Sequence, residues 1–306
     1  MTPDVSSKFQ AADARLRRIR LRTRHPVEHL LAGEYRSVFK GGGMDFDELR
    51  LYDAGDDVRA IDWNVTARSG RVHVRRYVEE RELAVWIVLD VSASCRPRGG
   101  AGAKADMQVE TAALIAFSAL HNHDRVGLIL FSDRVERIVP PRRGRHHGSR
   151  VLAAMLEVEP AGRGTDPRPA LDAVGHLIRR RALVFLLSDF LFDVEGVELA
   201  RAGFRQDLIA IAVNDPGEMD PPDCGLAWIE DAESGERMLC DFSPEHREAY
   251  RGAFAARREQ QRAALAAAGA DFIEMDTLSD PVATLAEFFR HRLRRVAGEI
   301  GGTKSW

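Results

Sequence analysis

Six short apolar runs, most of them separated by helix-like segments, set the pattern of hydrophobic and polar positions from residue 84 onward. Short apolar runs bounded by polar residues are typical of buried β-strands. The predicted strands cover 84–90, 126–131, 135–139, 182–188, 207–213 and 271–275. Strands that alternate with helices are joined by right-handed crossovers. The pattern therefore predicts an α/β fold with an open, doubly wound, mostly parallel sheet of six strands.

One strand of this sheet is predicted to be antiparallel. Only three residues separate 126–131 from 135–139. A parallel crossover needs about a dozen residues or more, so the second run has to return as a hairpin partner of the first. Another hairpin is predicted at 226–241, around Ser234-Gly235, and it is inserted before a long helix at 244–267.

Two further helices are predicted to cover the sheet. Residues 107–120 are apolar on nearly all sides, as expected of a helix packed on a sheet face. Residues 281–296 form a helix with arginines on one side and apolar residues on the other. The apolar residues are Val282, Leu285, Phe288, Phe289, Leu293 and Val296. This last helix is predicted to pack its apolar side and to expose its basic side.

The N-terminal part has a different pattern, and we predict a boundary between residues 1–82 and a main domain at 83–300. Residues 13–24 interleave arginines with apolar residues, which predicts a basic helix with a solvated face. A membrane surface or a nucleic acid is the alternative partner of that helix. Residues 33–82 contain many turn signals and short alternating runs such as RVHVRRYV. They are predicted to form a small, mostly extended preamble packed on the main domain.

The stretch GDDVRAIDW is predicted to anchor this preamble. A small extended segment is stable only when it packs against something else. The stretch would form a salt-bridge and aromatic clamp against the main domain, with Trp63 largely buried. The members of the clamp are Asp56, Asp57, Arg59, Asp62 and Trp63. A peptide-binding surface is the alternative role for the same residues.

Composition narrows the possible classes of protein. The chain has 306 residues, a formal net charge of −3 and 45% hydrophobic residues, which is enough apolar material for a large core. The near-balanced charge argues against a nucleic-acid binder. The sequence has neither the roughly 18-residue apolar stretch of a membrane helix nor a signal peptide. Its three cysteines, Cys95, Cys224 and Cys240, support neither a disulfide framework nor a zinc site. We therefore expect a reduced, cytoplasmic protein without a transmembrane segment.

Oxygen-bearing side chains collect at the predicted carboxyl edge of the sheet. Asp90, Ser92 and Ser94 follow the first strand, Thr165 lies in the segment GRGTD with Asp166 beside it, and Asp189 closes the strand 182–188. Ligands bind at this edge of an open parallel sheet, near the point where the strand order reverses. Each segment could instead cap a helix, and Thr165-Asp166-Pro167 has the form of an N-cap followed by a first-turn proline.

The predicted set of ligands suits a hard cation. Asp90, Ser92, Ser94, Thr165 and Asp189 offer oxygen only, which favours Mg²⁺, or alternatively Mn²⁺ or Ca²⁺, over zinc. Two carboxylates and three neutral hydroxyls leave such an ion electron-poor and leave room for water. A carboxylate from another protein is the obvious replacement for one of those waters.

The D-x-S-x-S motif, the threonine of the second loop and the aspartate after the fourth strand resemble the metal-ion-dependent adhesion site of von Willebrand factor A domains. The preamble GEYRSVFKGGGMDFDELRLYDAGDDVRAIDWNVTARSG is more specific. With the segments EERE, LDVSAS and DRVGLILFSD, it resembles the bacterial family called domain of unknown function 58, from about residue 15 to about 295. One departure is Cys95, where that family commonly has methionine, at a position that is not a ligand.

The resemblance implies a von Willebrand A-like domain and a MoxR-type AAA+ ATPase as partner. It does not supply a biochemical role. We expect a non-enzymatic, divalent-cation-dependent interaction module that acts as an adaptor for such an ATPase in assembling or remodelling another complex. A metal-dependent hydrolase or phosphatase that uses the same site is the alternative, and a structural scaffold is a third reading.

Other chemistry is less well supported by the sequence. Gly41, Gly42 and Gly43 lack the Lys-Ser or Lys-Thr of a P-loop, so ATP chemistry is expected in a partner. A phosphatase of the haloacid dehalogenase type needs an aspartate where Ser92 stands, and no G-x-S-x-G elbow surrounds the serines. The adjacent residues His146 and His147 lack the spacing of a metal pair on one helix face, and a solvated basic loop is predicted for them.

Overall fold

The computed structural model describes residues 46–53, 56, 58, 61–77, 83–95, 103–178, 182–192 and 206–301, together with Ile19, Thr23 and Tyr35. The strands are β1 (Phe46–Leu51), β2 (His73–Tyr77), β3 (Ala84–Asp90), β4 (Arg125–Phe131), β5 (Val135–Arg142), β6 (Leu183–Ser188), β7 (Asp207–Asn214), β8 (Gly225–Glu230), β9 (Arg237–Phe242) and β10 (Asp271–Asp276). The helices are α1 (Trp63–Ser69), α2 (Ala103–His121), α3 (Arg145–Glu157), α4 (Arg168–Leu177), α5 (Pro216–Met219), α6 (Pro244–Ala267) and α7 (Pro281–Gly301).

A six-stranded sheet with the order β10-β7-β6-β3-β4-β5 forms the centre of the main domain. All neighbouring strands are parallel except β4 and β5, which pair antiparallel. This arrangement confirms the predicted α/β fold class and the predicted antiparallel strand. The chain moves from β3 to β4 on one side and later places β6 on the other side of β3. The strand order therefore reverses at β3 and β6, whose carboxyl ends are adjacent.

Helices cover both faces of this sheet because its central strands are apolar on both sides. Val85, Ile87 and Leu89 of β3 belong to a buried cluster with residues of α2, α3 and α7. The alternate residues Trp86 and Val88 belong to a second cluster, with residues of α4 and α6 on the opposite face. A strand buried on both faces reads as a continuous apolar run, which explains why these strands were recognisable in the sequence.

The close approach of β3 and β4 depends on a glycine. Gly127 pairs with Trp86, and a Cβ atom at Gly127 would lie 2.7 Å from the indole Cε3 atom. Gly127→Ala is therefore expected to lower the free energy of unfolding by about 1–3 kcal/mol through overpacking, as measured by urea denaturation. Gly175→Ala in α4 is the control, since an added methyl group meets open space there and alanine favours helix. A Gly127→Ala variant as stable as wild type would contradict this view of the strand contact.

The described part of the preamble is less extended than predicted. β1 and β2 pair antiparallel, which confirms the strand seen in RVHVRRYV, but α1 lies between them and was not predicted. Asp62 accepts hydrogen bonds from the backbone N–H groups of Asn64 and Val65, and Gly70 ends the helix at a φ of 71°. Asp62 therefore starts a short helix, and Gly70, which in the pair Ser69-Gly70 suggested a turn between extended segments, ends that helix.

The prediction that Trp63 is largely buried is wrong. Its side chain is 65% exposed, because it begins α1 on the two-stranded β1–β2 unit and not on the six-stranded sheet. Asp56 accepts a hydrogen bond from the backbone N–H of Asp53, so it serves a local turn. Asp57 and Arg59 lie outside the described residues. The predicted aromatic clamp is therefore not formed by Trp63.

Two residues nearer the N-terminus lie in the main core. Ile19 and Tyr35 are buried in the same cluster as Val85. The Tyr35 ring packs edge-on against Phe289 of α7, with 6.0 Å between ring centroids, and its hydroxyl donates a hydrogen bond of 3.0 Å to Asp124. The rest of the predicted basic helix at 13–24, apart from Thr23, lies outside the described residues, as do Gly41, Gly42 and Gly43.

The predicted C-terminal elements are confirmed. The β8–β9 hairpin turns at Gly235, where φ is 76°, and it directly precedes α6. Leu285 and Phe289 of α7 are buried, whereas its arginine side is partly engaged: Arg292 forms ion pairs with Asp207 and Asp271. Among the described helices, none has the length and the apolar character needed to cross a membrane.

Candidate metal centre

The first loop of the site begins where β3 ends. Asp90 is the last residue of that strand and is buried, and one of its carboxylate oxygens accepts a hydrogen bond of 2.9 Å from the backbone N–H of Ser92. This bond turns the chain so that Ser92 and Ser94 lie side by side, with 3.1 Å between their hydroxyl oxygens. The D-x-S-x-S spacing therefore produces the local cluster of oxygens that the sequence predicted.

The third loop brings Asp189 to the same place from the adjacent strand β6. Asp189 is fully buried, and Ser188 before it donates a hydrogen bond of 2.6 Å to Asp90. Phe190 after it has a φ of 57°, a left-handed conformation that is rare for an aromatic residue. The backbone N–H of Phe190 donates to the Ser188 hydroxyl, and its carbonyl accepts from Gln261 of α6. These bonds fix the turn that carries Asp189.

A buried lysine lies between the two acidic regions of the site. The ammonium group of Lys104, at the start of α2, lies 3.1 Å from a carboxylate oxygen of Asp189 and 2.7 Å from one of Glu218 in α5. Burial by itself would lower the pKa of Lys104, but the charges of Asp189 and Glu218 outweigh burial and raise that pKa. Lys104 is therefore a permanent cation in the site. Neither Lys104 nor Glu218 belongs to a sequence motif, so neither was predicted to be part of the site.

The carboxyl group of Asp90 has a strongly raised pKa. Burial and the nearby charge of Asp189 raise its pKa from 3.8 to about 7, although hydrogen bonds from Ser188 and Ser92 act in the opposite direction. A buried carboxyl group ionises less readily when a second negative charge lies close to it. A cation at this position would favour the ionised form of Asp90, so the two aspartates are suited to hold one.

Cys95 lies in the same cluster. Its sulfur and one carboxylate oxygen each of Asp90 and Asp189 all lie within 4.8 Å of one another. Burial, followed by the charges of the two aspartates, raises the pKa of the Cys95 thiol well above its ordinary value. Because the thiolate is the form that binds metals, a protonated thiol leaves the oxygen atoms as the better ligands. The thiol still adds a soft atom to a site that the sequence predicted to contain oxygen only.

The second loop crosses above the ends of β3 and β4. The backbone N–H of Ala93 donates to the carbonyl of Arg163, and the N–H of Asp166 donates to that of Ser132, both at 2.9 Å. These bonds place the Thr165 loop beside the Ser92–Ser94 turn. The Thr165 hydroxyl itself contacts Glu233 at the tip of the β8–β9 hairpin, at 2.5 Å. No sequence signal marked Glu233.

Two local expectations about neighbouring residues need correction. Thr165 is not an N-cap, because it is Asp166 that accepts the hydrogen bond from the backbone N–H of Arg168 at the start of α4. His147 is not in a solvated loop: it is buried in α3, and its Nε2 atom lies 2.7 Å from the carbonyl oxygen of Val126. The arginines around His147 suggested exposure, but His147 lies on the side of α3 that packs against β4 and is therefore buried.

Chemically, the site is a buried pair of carboxylates with serine hydroxyls beside them, at the reversal point of a doubly wound sheet. It defines an α/β protein with a candidate cation site. The sequence matches the family described as "Protein of unknown function DUF58" over residues 48–264, and the chain belongs to this family.

Similar proteins occur in mycobacteria. An uncharacterized protein of Mycobacterium bovis and one of Mycobacterium tuberculosis strain H37Rv are each 34% identical to this chain over 284 residues. The match covers 92% of this chain and 90% of each relative. An uncharacterized protein of Mycobacterium avium is 30% identical over 159 residues, which covers 51% of this chain and 94% of that protein.

Two solved structures resemble the fold more distantly. The conserved hypothetical protein BatB from Bacteroides thetaiotaomicron has 11% sequence identity and a TM-score of 0.41, and the match covers 70% of this chain and 99% of that one. An aerotolerance-related membrane protein from Bacteroides fragilis has 14% identity and a TM-score of 0.40 over the same shares of the two chains. At these values, neither structure bears on the function of this chain.

Proposed function

We propose that the chain is a non-enzymatic protein-interaction module whose binding depends on a divalent cation, Mg²⁺ above Mn²⁺ or Ca²⁺. The observation that carries this proposal is the meeting of the buried carboxylates of Asp90 and Asp189 at the carboxyl edge of adjacent strands. With Ser92, Ser94 and Thr165 they would hold the ion. The ion would supply an electron-poor centre to which a carboxylate of a partner protein binds.

The donor set supports a hard cation with an incomplete coordination shell. Mg²⁺ takes six oxygens and retains waters where the protein supplies too few. Part of the negative charge at Asp189 is already balanced by Lys104, so the protein neutralises the ion only weakly. An anionic ligand from outside therefore gains a charge-assisted bond. By linkage, cation and partner have to strengthen each other's binding equally.

The partner that we propose is a MoxR-type AAA+ ATPase, for which the chain would act as an adaptor. This step rests on the resemblance to the family called domain of unknown function 58, which implies pairing with such an ATPase. The adhesion-site motif formed by Asp90, Ser92, Ser94, Thr165 and Asp189 would supply the contact. A cytoplasmic location belongs to the same proposal, since such an ATPase acts there.

Substituting a serine of the first loop tests the cation site. Ser92→Ala and Ser94→Ala are each expected to weaken Mg²⁺-dependent capture of the cell's MoxR-type ATPase by at least about tenfold, or roughly 1.4 kcal/mol, in pull-down titrations with purified proteins. Serines are preferable to Asp189 here, because removal of Asp189 would leave the Lys104 ammonium without its buried carboxylate. Ser149→Ala, at an exposed hydroxyl of α3, is the control. Capture that neither substitution nor EDTA alters would contradict the metal-bridge mechanism.

The non-enzymatic character of the chain is tested separately. The purified protein is expected to hydrolyse neither ATP nor p-nitrophenyl phosphate in the presence of Mg²⁺, because the sequence lacks a P-loop and has Ser92 where a dehalogenase-type phosphatase has its second aspartate. Phosphate release over many turnovers is the measurement. Sustained hydrolysis that disappears in Asp90→Ala would instead establish the metal-dependent hydrolase.

A further inference from the structure

The tip of the β8–β9 hairpin is docked on the loop that carries Thr165. The side chain of Asp231 accepts a hydrogen bond of 2.8 Å from the backbone N–H of Glu233, which folds the turn. A guanidinium nitrogen of Arg163 donates a bond of 2.8 Å to the carbonyl of Ala232. β8 and β9 form a two-stranded sheet of their own. The hairpin is therefore not paired with the six-stranded sheet, and the contact with the Thr165 loop is what holds its tip.

The contact ends in a carboxylate. One oxygen of Glu233 accepts a hydrogen bond of 2.5 Å from the Thr165 hydroxyl, and the other accepts one of 3.1 Å from the Thr165 backbone N–H. Within the part of the chain that the structure describes, no lysine, arginine or histidine nitrogen forms an ion pair with Glu233. Its charge is therefore directed at the one loop residue whose hydroxyl would serve the cation.

We propose that Glu233 is this chain's own carboxylate ligand for the cation site, held on Thr165 in the free protein and occupying, with the cation bound, the coordination position that a partner's carboxylate would otherwise take. This inference rests on the proposed function. The five residues Asp90, Ser92, Ser94, Thr165 and Asp189 offer one oxygen each, whereas Mg²⁺ takes six. A carboxylate on Thr165 supplies the sixth from inside the molecule.

A tethered carboxylate would regulate access to the site. An intramolecular ligand competes at an effective concentration in the millimolar range or above. A partner would then have to displace the hairpin tip before its own carboxylate reaches the ion. Small carboxylates in solution, such as acetate, are excluded while Glu233 occupies the position. Removal of Glu233 should accordingly have two opposite effects: weaker binding of the cation and stronger binding of an external carboxylate.

The experiment uses Mn²⁺ as the cation and acetate as the external carboxylate, with the full chain. Glu233→Gln keeps an oxygen that can accept from Thr165 but removes the charge. Electron paramagnetic resonance titration is expected to show about tenfold weaker Mn²⁺ binding, and water-proton relaxation should show one additional water on the bound ion. Acetate should then displace that water at a concentration at least tenfold lower than in wild type. Glu236→Gln, on the same turn, is the matched control and should behave as wild type.

The outcomes separate this inference from the proposed function. If wild type binds Mn²⁺ but Glu233→Gln leaves both its affinity and its hydration unchanged, Glu233 is not a ligand and the inference alone falls. Weaker binding of both Mn²⁺ and acetate in Glu233→Gln would show that the residue only positions the Thr165 loop, which also overturns the inference. Wild type and Asp90→Asn that both fail to bind Mn²⁺ would remove the cation site itself, and the inference with it.

Discussion

Lys104→Met is expected to lower the free energy of unfolding by about 3–5 kcal/mol in the presence of EDTA, measured by urea denaturation. The ammonium group of Lys104 is the buried partner of Asp189, and both side chains are almost fully removed from solvent. Removal of one member of such a pair leaves an uncompensated buried charge, which is the reason for the large effect. Methionine keeps most of the volume of the lysine side chain, so packing contributes little to the loss.

Two controls identify the cause. Arg134→Met removes the cation from the exposed ion pair with Asp133 and should leave the free energy of unfolding almost unchanged, because solvent screens exposed pairs. Asp189→Asn combined with Lys104→Met removes both charges and should recover much of the lost stability. A Lys104→Met protein as stable as wild type would show that Asp189 is not left charged and buried, contrary to the geometry. Mg²⁺ should stabilise Lys104→Met more than wild type, since the metal then provides the missing positive charge.

The second large effect is a dependence of stability on pH that comes from Asp90. The folded protein retains the Asp90 proton up to about pH 7, because the pKa of this carboxyl is raised there, whereas the unfolded chain releases it near its ordinary value of 3.8. Between these two values the folded state binds more protons, so stability declines as the pH rises. From pH 5 to pH 8 in EDTA, this group alone should lower the free energy of unfolding by about 3 kcal/mol.

The contribution of Asp90 is isolated by difference. Urea denaturation of wild type and Asp90→Asn at pH 5, 6, 7 and 8 gives the free energy of unfolding of each. The free energy of unfolding of wild type minus that of Asp90→Asn should fall steadily as the pH rises and level off above about pH 7. Addition of Mg²⁺ at pH 8 should restore stability to wild type and not to Asp90→Asn. Parallel pH profiles for the two proteins would refute the raised pKa.

Both effects follow from the same arrangement of charges. The site holds two buried carboxylates and one buried ammonium, and the ammonium contacts Asp189. Among the residues that the structure describes, Asp90 has serine hydrogen bonds in place of a cationic partner. In the proposed function, the divalent ion supplies the positive charge that Asp90 needs when it ionises. The cation and a rise in pH should therefore both favour the ionised form of Asp90, but the rise in pH lowers the free energy of unfolding whereas the cation restores it.

Most of the fold could be predicted from the sequence because its elements are locally encoded. Strands buried on both faces appear as continuous apolar runs, and this identified all six strands of the central sheet to within a few residues. The short gap before β5 fixed its antiparallel direction. Asp90, Ser92, Ser94 and Asp189 could be placed at one edge for a related reason: parallel strands bring their carboxyl ends together. The exposure of Trp63 and the burial of His147 were missed, since the composition around each residue suggested the opposite environment.

Local sequence alone therefore determined which segments form the strands of the sheet and how strands and helices alternate along the chain. It also determined that the two aspartates, with their serines, lie at strand ends. Only the tertiary structure decided what surrounds them. Lys104 meets Asp189 across 85 residues, and Thr165 meets Glu233 across 68. Contacts at such separations depend on how helices and hairpins pack after the chain has closed its loops, and neither the periodicity of 3.6 nor that of 2 carries this information. For the same reason, the buried cation and the hairpin carboxylate, which together set the charge of the site, left no motif in the sequence.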